Sequence, residues 1–175
     1  MRLLGLDPGL RRTGWGMVDA HGNALHFVDA GVVTTDPTHD LAMRLDALYR
    51  GLREVIARER PSAAAVEETV VNVNADSSLK LGHARGVVLL AAAHAGLEVA
   101  EYASKTVKRA VVGTGAAQKR QVAMMVRVLL PGSGSLGGDA ADALAVAICH
   151  AHHHAAATRL GVALAAGRSV TEVAR

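Results

Sequence analysis

Acidic side chains stand at three places where the chain changes direction. Asp7 closes the apolar run "RLLGL" and is followed at once by Pro8 and Gly9. Glu67 and Glu68 close a second run, "AAAV", and Asp139 and Asp142 open a third segment, "DAADALAVAICHAH". Each has an ordinary structural explanation taken singly. Asp is a common turn residue, and Pro8 favours an extended residue before it and sets the first φ of the turn. Gly9 is expected to take the positive φ that a type II turn needs. Acids in a first helical turn are favoured by the helix dipole. Their combination points further. Acids ending neighbouring parallel strands lie close together, and two carboxylates about 4 Å apart repel by about 4 kcal/mol at an effective dielectric near 20. Such a cluster needs raised pKa values or bound cations. Oxygen ligands with no Cys or His pair beside them suit Mg²⁺ or Mn²⁺. Paired ions of that kind clamp the attacking and leaving oxygens in phosphodiester hydrolysis. Adjacent strand residues face opposite sides, so only one of Glu67 and Glu68 joins Asp7, and periodicity does not choose between them. Asp139 and Asp142, three residues apart, share one helical face.

Basic residues form a second constellation. Lys105, Lys108 and Arg109 share a face at i, i+3 and i+4, and Lys119 and Arg120 open the next helix. A solvated charged face is the ordinary reading; phosphate contact is the functional one. Arg11, Arg12, Lys80 and Arg85 are weaker candidates for the same task. Two other motifs are set aside. Residues 132–137 match G-x-G-x-x-G, but a dinucleotide site needs a strand before the glycines, and residues 118–130 look helical. The run His150, His152, His153, His154 begins eleven residues beyond Asp139, about 16 Å along a helix, too far to complete the acidic site. It reads as a partly polar, exposed helix end.

The elements that must hold these groups follow from pattern. Strands are expected at residues 2–6, 13–19 and 24–33, joined by short turn-rich links, hence an antiparallel meander. A helix follows at 40–60, with Leu41, Leu45, Leu48, Leu52 and Ile56 on one stripe and Pro61 as its stop. A strand at 63–66, a helix at 74–96 and a strand at 98–103 come next, then helices near 104–112, 118–130 and from 139 onward. Strand, helix, strand order implies parallel pairing, so an α/β fold with a mixed five-stranded sheet is expected. Residues 1–157 read as one domain and 158–175 as a loose tail. The 175 residues, half of them hydrophobic but only 2% aromatic, require a core of Ala, Val and Leu. A lone cysteine, Cys149, excludes an internal disulfide and fits a reducing cytosol. Residues 3–6 are too short for a secretory signal, and the longest apolar run, 86–93, is too short to span a membrane. A net charge of +3 and a pI of about 9.4 permit a polyanionic partner.

Four segments, "LGLDPGLRRTGWG", "VEETVVNVNADSSLKLGHARG", "EYASKTVKRAVVGTGAAQKRQV" and "DAADALAVAICHAH", occur in the order and spacing of one family. In them the chain resembles the RuvC family of bacterial Holliday-junction resolvases over nearly its whole length. The first segment alone is shared with actin-like ATPases, but those need two related lobes and this length supplies one. The resemblance implies a ribonuclease-H-like fold with strand order 3-2-1-4-5. It implies a cytoplasmic homodimer that cuts four-way DNA junctions symmetrically, leaving 5′-phosphate and 3′-hydroxyl nicks, in recombination and repair. It picks Glu67 over Glu68, and assigns Asp7, Glu67, Asp139 and Asp142 to two Mg²⁺ ions, with Mn²⁺ as a substitute. Asp7 would bridge both ions, and an activated water would attack in line. Lys108 and Lys119 match lysines near the DNA backbone. Ser78, Gly82 and Gly86, in one line on the second helix, match a dimer contact. A branch-migration helicase complex is the implied partner. The chain departs from the family pattern at Val70 and Val71, where an aromatic residue that stacks at the junction centre is usual.

Overall fold

A computed structural model describes residues 1–68 and 75–172, with the side chains of the last helix through Leu160, and among the described residues there are five strands and five helices. The elements are β1 (Arg2–Asp7), β2 (Arg12–His21), β3 (Ala24–Thr34), α1 (Leu41–Glu59), β4 (Ala63–Glu67), α2 (Ala75–His94), β5 (Glu98–Tyr102), α3 (Ser104–Val112), α4 (Lys119–Leu129) and α5 (Gly138–Glu172). The sheet order is β3-β2-β1-β4-β5. β1 pairs antiparallel with β2 and parallel with β4, and β4 pairs parallel with β5. The family-derived strand order is therefore observed. Asp40 caps α1 by accepting a hydrogen bond from the Met43 amide, and Arg60 ends it in the left-handed region before Pro61.

Alternation along the central strands sorts their side chains onto two faces. Leu4, Leu6, Ala64 and Val66 pack with Leu48, Leu52, Val55 and Ile56 of α1 and Ala84, Val88, Ala91 and Ala92 of α2. Leu3, Ala63 and Ala65 pack on the other face, under α3, α4 and α5. Continuing the alternation puts Asp7 and Glu67 on the face of α3, α4 and α5, and Glu68 on the opposite one. The sheet itself thus separates the two neighbouring glutamates, a choice that residue spacing left open.

Glycines decide how α5 sits. A Cβ at Gly5 would run into the Ala143 carbonyl and approach Ala147 N to 2.5 Å; one at Gly14 would strike the Asp139 backbone, and one at Gly16 would press on Leu144. Bare backbone at these three positions lets α5 lie directly on β1 and β2. The sequence suggested one apolar side for this helix. In the structure it is buried all round from Ala143 to Cys149, because the sheet covers one side and α3 and α4 cover the other. The small side chains of "DAADALAVA" are what allow that double packing. Residues 158–172, read as a tail from the sequence, continue α5 as helix to Glu172.

The turn after Asp7 differs from expectation. Gly9 is absent from the positive-φ glycines, so a type II turn does not form. Instead the Thr13 hydroxyl accepts from Gly9 N at 3.1 Å and donates to Gly9 O at 2.7 Å. Gly9 is needed for space, since a Cβ there would strike the Arg12 carbonyl.

Candidate active site

β1 and β4 run side by side with Leu6 opposite Val66, so Asp7 and Glu67 leave the sheet as neighbours at the same edge. α5 begins beside them, because Gly14, the register partner of Asp7, lies against the Asp139 backbone. One turn on, Asp142 faces the two strand-end acids. Asp7, Glu67 and Asp142 line a cleft of about 100 Å³ together with Ser104 and Lys108 of α3 and Lys119 of α4. Lys119 Nζ donates to Asp142 Oδ2 at 2.9 Å. Asp139 lies at the edge of the group, where Arg12 Nε donates to its Oδ2 at 2.5 Å.

The electrostatics match this crowding. Burial, followed by the charges of Glu67, Asp142 and Asp139, pushes Asp7 up to about 7, against a smaller opposing pull from Lys119. Burial also raises Glu67, with a hydrogen bond from Ser104 and the charges of Lys119 and Lys108 working against it. Lys119 is raised above its ordinary value, first by its hydrogen bond to Asp142, then by the carboxylate charges around it. The cleft therefore holds excess negative charge that its own lysines only partly offset.

Of the basic candidates, the cleft gathers Lys108 and Lys119. Lys105, Arg109 and Arg120 are exposed outside it on α3 and α4. Lys80 and Arg85 are engaged within the chain, with Asp76 and Glu101. Arg11 is exposed, whereas Arg12 sits on an acid of the cluster. Two contributors were not singled out for these roles. Ser104 opens α3 directly after β5, and its hydroxyl bonds Glu67; a Ser at a strand-to-helix junction was the available signal. Arg12 was grouped with possible phosphate contacts, since nothing in its spacing to Asp139 announces their contact across 127 positions.

The histidine run is only partly the exposed helix end that was expected. His153 and His154 are exposed, but His150 is half-buried, with its Nδ1 2.9 Å from the Tyr102 hydroxyl, and His153 stacks on the Tyr102 ring. Burial lowers the His150 pKa and raises that of the adjoining Cys149 thiol to about 12. These side chains fasten β5 to α5 behind the acids. Among the described residues, no three acids, imidazoles or thiols converge into a ready-made metal cage. Val70 and Val71 lie outside the described residues. Ser78, Gly82 and Gly86 are on α2, away from the cleft. Gly82 and Gly86 are exposed, and a Cβ at either would meet nothing within 4 Å. No described helix is long and apolar enough to cross a membrane.

Comparison with known proteins shows what the chain is similar to. The family model described as crossover junction endodeoxyribonuclease RuvC matches residues 3–150. A crossover junction endodeoxyribonuclease RuvC of Acidiphilium cryptum is 60% identical over 162 residues, covering 93% of this chain and 97% of the relative. One of Sinorhizobium fredii is 54% identical over 165 residues, covering 94% and 97%. Among solved structures, Thermus thermophilus RuvC in complex with a Holliday junction substrate superposes with a TM-score of 0.83 at 36% identity, covering 90% of this chain and 97% of that one. The yeast mitochondrial Holliday junction resolvase Ydc2, at 10% identity and a TM-score of 0.61, shares the fold.

Proposed function

This chain belongs to the RuvC family of crossover junction endodeoxyribonucleases, nucleases acting on DNA phosphodiester bonds, and from that premise we propose that its substrate is the four-way (Holliday) junction, cut symmetrically by metal-dependent hydrolysis. The observation that carries this reading is the convergence of Asp7, Glu67 and Asp142 with Lys108 and Lys119 in one cleft. The donor set fits hard divalent cations. It is built of carboxylate oxygens, and burial, followed by the charges of the neighbouring acids, pushes Asp7 up to about 7. Asp7, Glu67, Asp139 and Asp142 would hold two Mg²⁺, which Mn²⁺ would replace. Metal held there would supply charge neutralisation at the phosphate and activation of a water for in-line attack.

The chain's own residues do the rest. Pro8 and the Thr13–Gly9 hydrogen bonds turn the backbone away behind Asp7, leaving its carboxylate at an open strand end. Ser104 orients Glu67 by hydrogen bonding. Lys108 and Lys119 put positive charge where a scissile phosphate would enter, which opposes its repulsion by the acids. Lys105, Arg109 and Arg120 lie outward of them and would follow the DNA backbone, giving affinity that falls with salt. Attack of water on phosphorus with breakage of the P–O3′ bond would leave a 5′-phosphate and a 3′-hydroxyl, ends that a ligase can seal.

Two symmetric cuts call for two sites. The outward line of Ser78, Gly82 and Gly86 on α2 would form a two-fold contact, supported by the exposure of Leu79 and Leu90 on the same helix. A cytoplasmic setting and a branch-migration helicase as the protein that presents the junction complete the proposal. With Val70 and Val71 where an aromatic is usual, opening of the junction centre would fall to another residue or to that partner, since valine offers no π-face for a base. The test is a labelled four-way junction incubated with the protein in Mg²⁺ or EDTA and resolved on a denaturing gel. Paired, ligatable nicks in Mg²⁺ alone support the proposal; their absence over a range of junction sequences contradicts it.

A further inference from the structure

We infer that Arg12 is an internal counter-ion for Asp139, which gives up that carboxylate when the site takes up metal and then meets a DNA phosphate. This rests on the metal reading of the four acids. The acids fall into two kinds. Asp139 and Asp142 are each in ion-pair contact with a cation of the chain, Arg12 at 2.5 Å and Lys119 at 2.9 Å. Among the described residues, Asp7 and Glu67 have no such ion-pair partner; burial opposes the charge of both, and at Asp7 the charge of Glu67 adds to it. A divalent cation binding the Asp139 carboxylate competes with the Arg12 guanidinium already held on its Oδ2, so uptake weakens that ion pair.

Arg12 is built to be the one released. Its backbone is fixed at the start of β2, where its carbonyl lies beneath Gly9 and Thr13 bonds Gly9. Its side chain is 53% exposed, so the guanidinium can leave without disturbing the core. A cleft of about 360 Å³ lined by Arg11, Arg12, Thr34, Thr35 and Pro37 adjoins it, open and basic enough for a phosphate. Arg12 is thus a positioning residue that occupies a metal ligand in the resting protein.

The test is Mn²⁺ binding to the full chain without DNA, measured by electron paramagnetic resonance of the unbound ion. Removing a competing exposed ion pair should tighten Mn²⁺ binding in Arg12→Gln about two- to fivefold. Arg11→Gln loses the same charge next door without touching Asp139, and should change affinity by less than about half that factor. Equal tightening in both variants, or none in Arg12→Gln, overturns the counter-ion role. Asp7→Asn separates the two levels: if it binds Mn²⁺ as well as wild type, the metal reading and the inference fail together. If it loses Mn²⁺ while Arg12→Gln matches wild type, the inference alone fails. A second readout follows junction binding against salt. In Ca²⁺ the slope for Arg12→Gln should be shallower than wild type by about one, and in EDTA the two should coincide. Coincident slopes in Ca²⁺ overturn the phosphate contact.

Discussion

Asp7→Asn should make the metal-free protein more stable at alkaline pH while abolishing cleavage. In the folded chain the Asp7 carboxyl titrates near 7, against an ordinary value of 3.8. Between those values the native state holds a proton that the unfolded chain has released. Stability is therefore present in full below about 4, falls as pH rises, and is lost completely above about 7. Raising the pKa that far corresponds to about 4 kcal/mol at pH 8, which solvent screening in an open cleft reduces to about 2 kcal/mol. Asparagine keeps the shape and removes the ionisation. For a chain of this size, 2 kcal/mol is a rise in melting temperature of about 4–8 °C. Thermal unfolding followed by circular dichroism in EDTA should show that gain at pH 8. At pH 5, where Asp7 is protonated in the folded wild type, most of the gain should vanish, leaving about 1.5–3 °C. An asparagine variant no more stable than wild type at pH 8, or equally advantaged at both pH values, would refute the reasoning that burial, with the neighbouring acids, raises Asp7.

Three further outcomes follow from the packing and the surface. Gly5→Ala should destabilise the protein by about 1–3 kcal/mol and lower cleavage, because its methyl group pushes α5, and with it Asp139 and Asp142, off β1; unchanged melting temperature would show that α5 does not depend on bare backbone there. Lys119→Ala should reduce the cleavage rate at saturating junction while the fold is retained, since Lys119 pairs with Asp142 at the cleft rim and is largely exposed; wild-type turnover in single-turnover gels would remove it from the site. Gly82→Arg should leave the subunit folded, because its Cβ enters open space, yet convert a dimer to a monomer in sedimentation velocity; an unchanged sedimentation coefficient would move the two-fold contact elsewhere.

Much of this architecture was legible in the residues. Short turn-rich links announced the meander, and apolar spacing placed a helix over 40–60, where α1 is found at Leu41–Glu59. Both kinds of signal are local, carried within a few residues of the element they define. What depends on distant partners was not legible. The all-round burial of α5 needs the sheet on one side and α3 with α4 on the other, and periodicity within one helix reports only one face. Gly9 has the composition of a type II turn, but Thr13, four residues on, imposes another geometry through its hydroxyl. His150 lay in a polar run, yet Tyr102 from β5 reaches it across the fold. The acids themselves could be grouped from their places at element ends, while the choice of Glu67 over Glu68 required either the family resemblance or the strand alternation. Arg12 on Asp139 had no signal at all, since an exposed Arg at a strand start pairs with whatever the fold brings near.

The most direct measurement compares junction binding with junction cleavage for Asp7→Asn, Glu67→Gln, Asp139→Asn and Asp142→Asn. Binding is read by gel mobility shift and cutting by denaturing gel in Mg²⁺, on the same labelled four-way junction. If the four acids form one metal-dependent site, each variant binds the junction at least as tightly as wild type and cuts at least about a hundredfold more slowly. A variant of any of the four that binds normally and cuts at the wild-type rate would contradict that assignment.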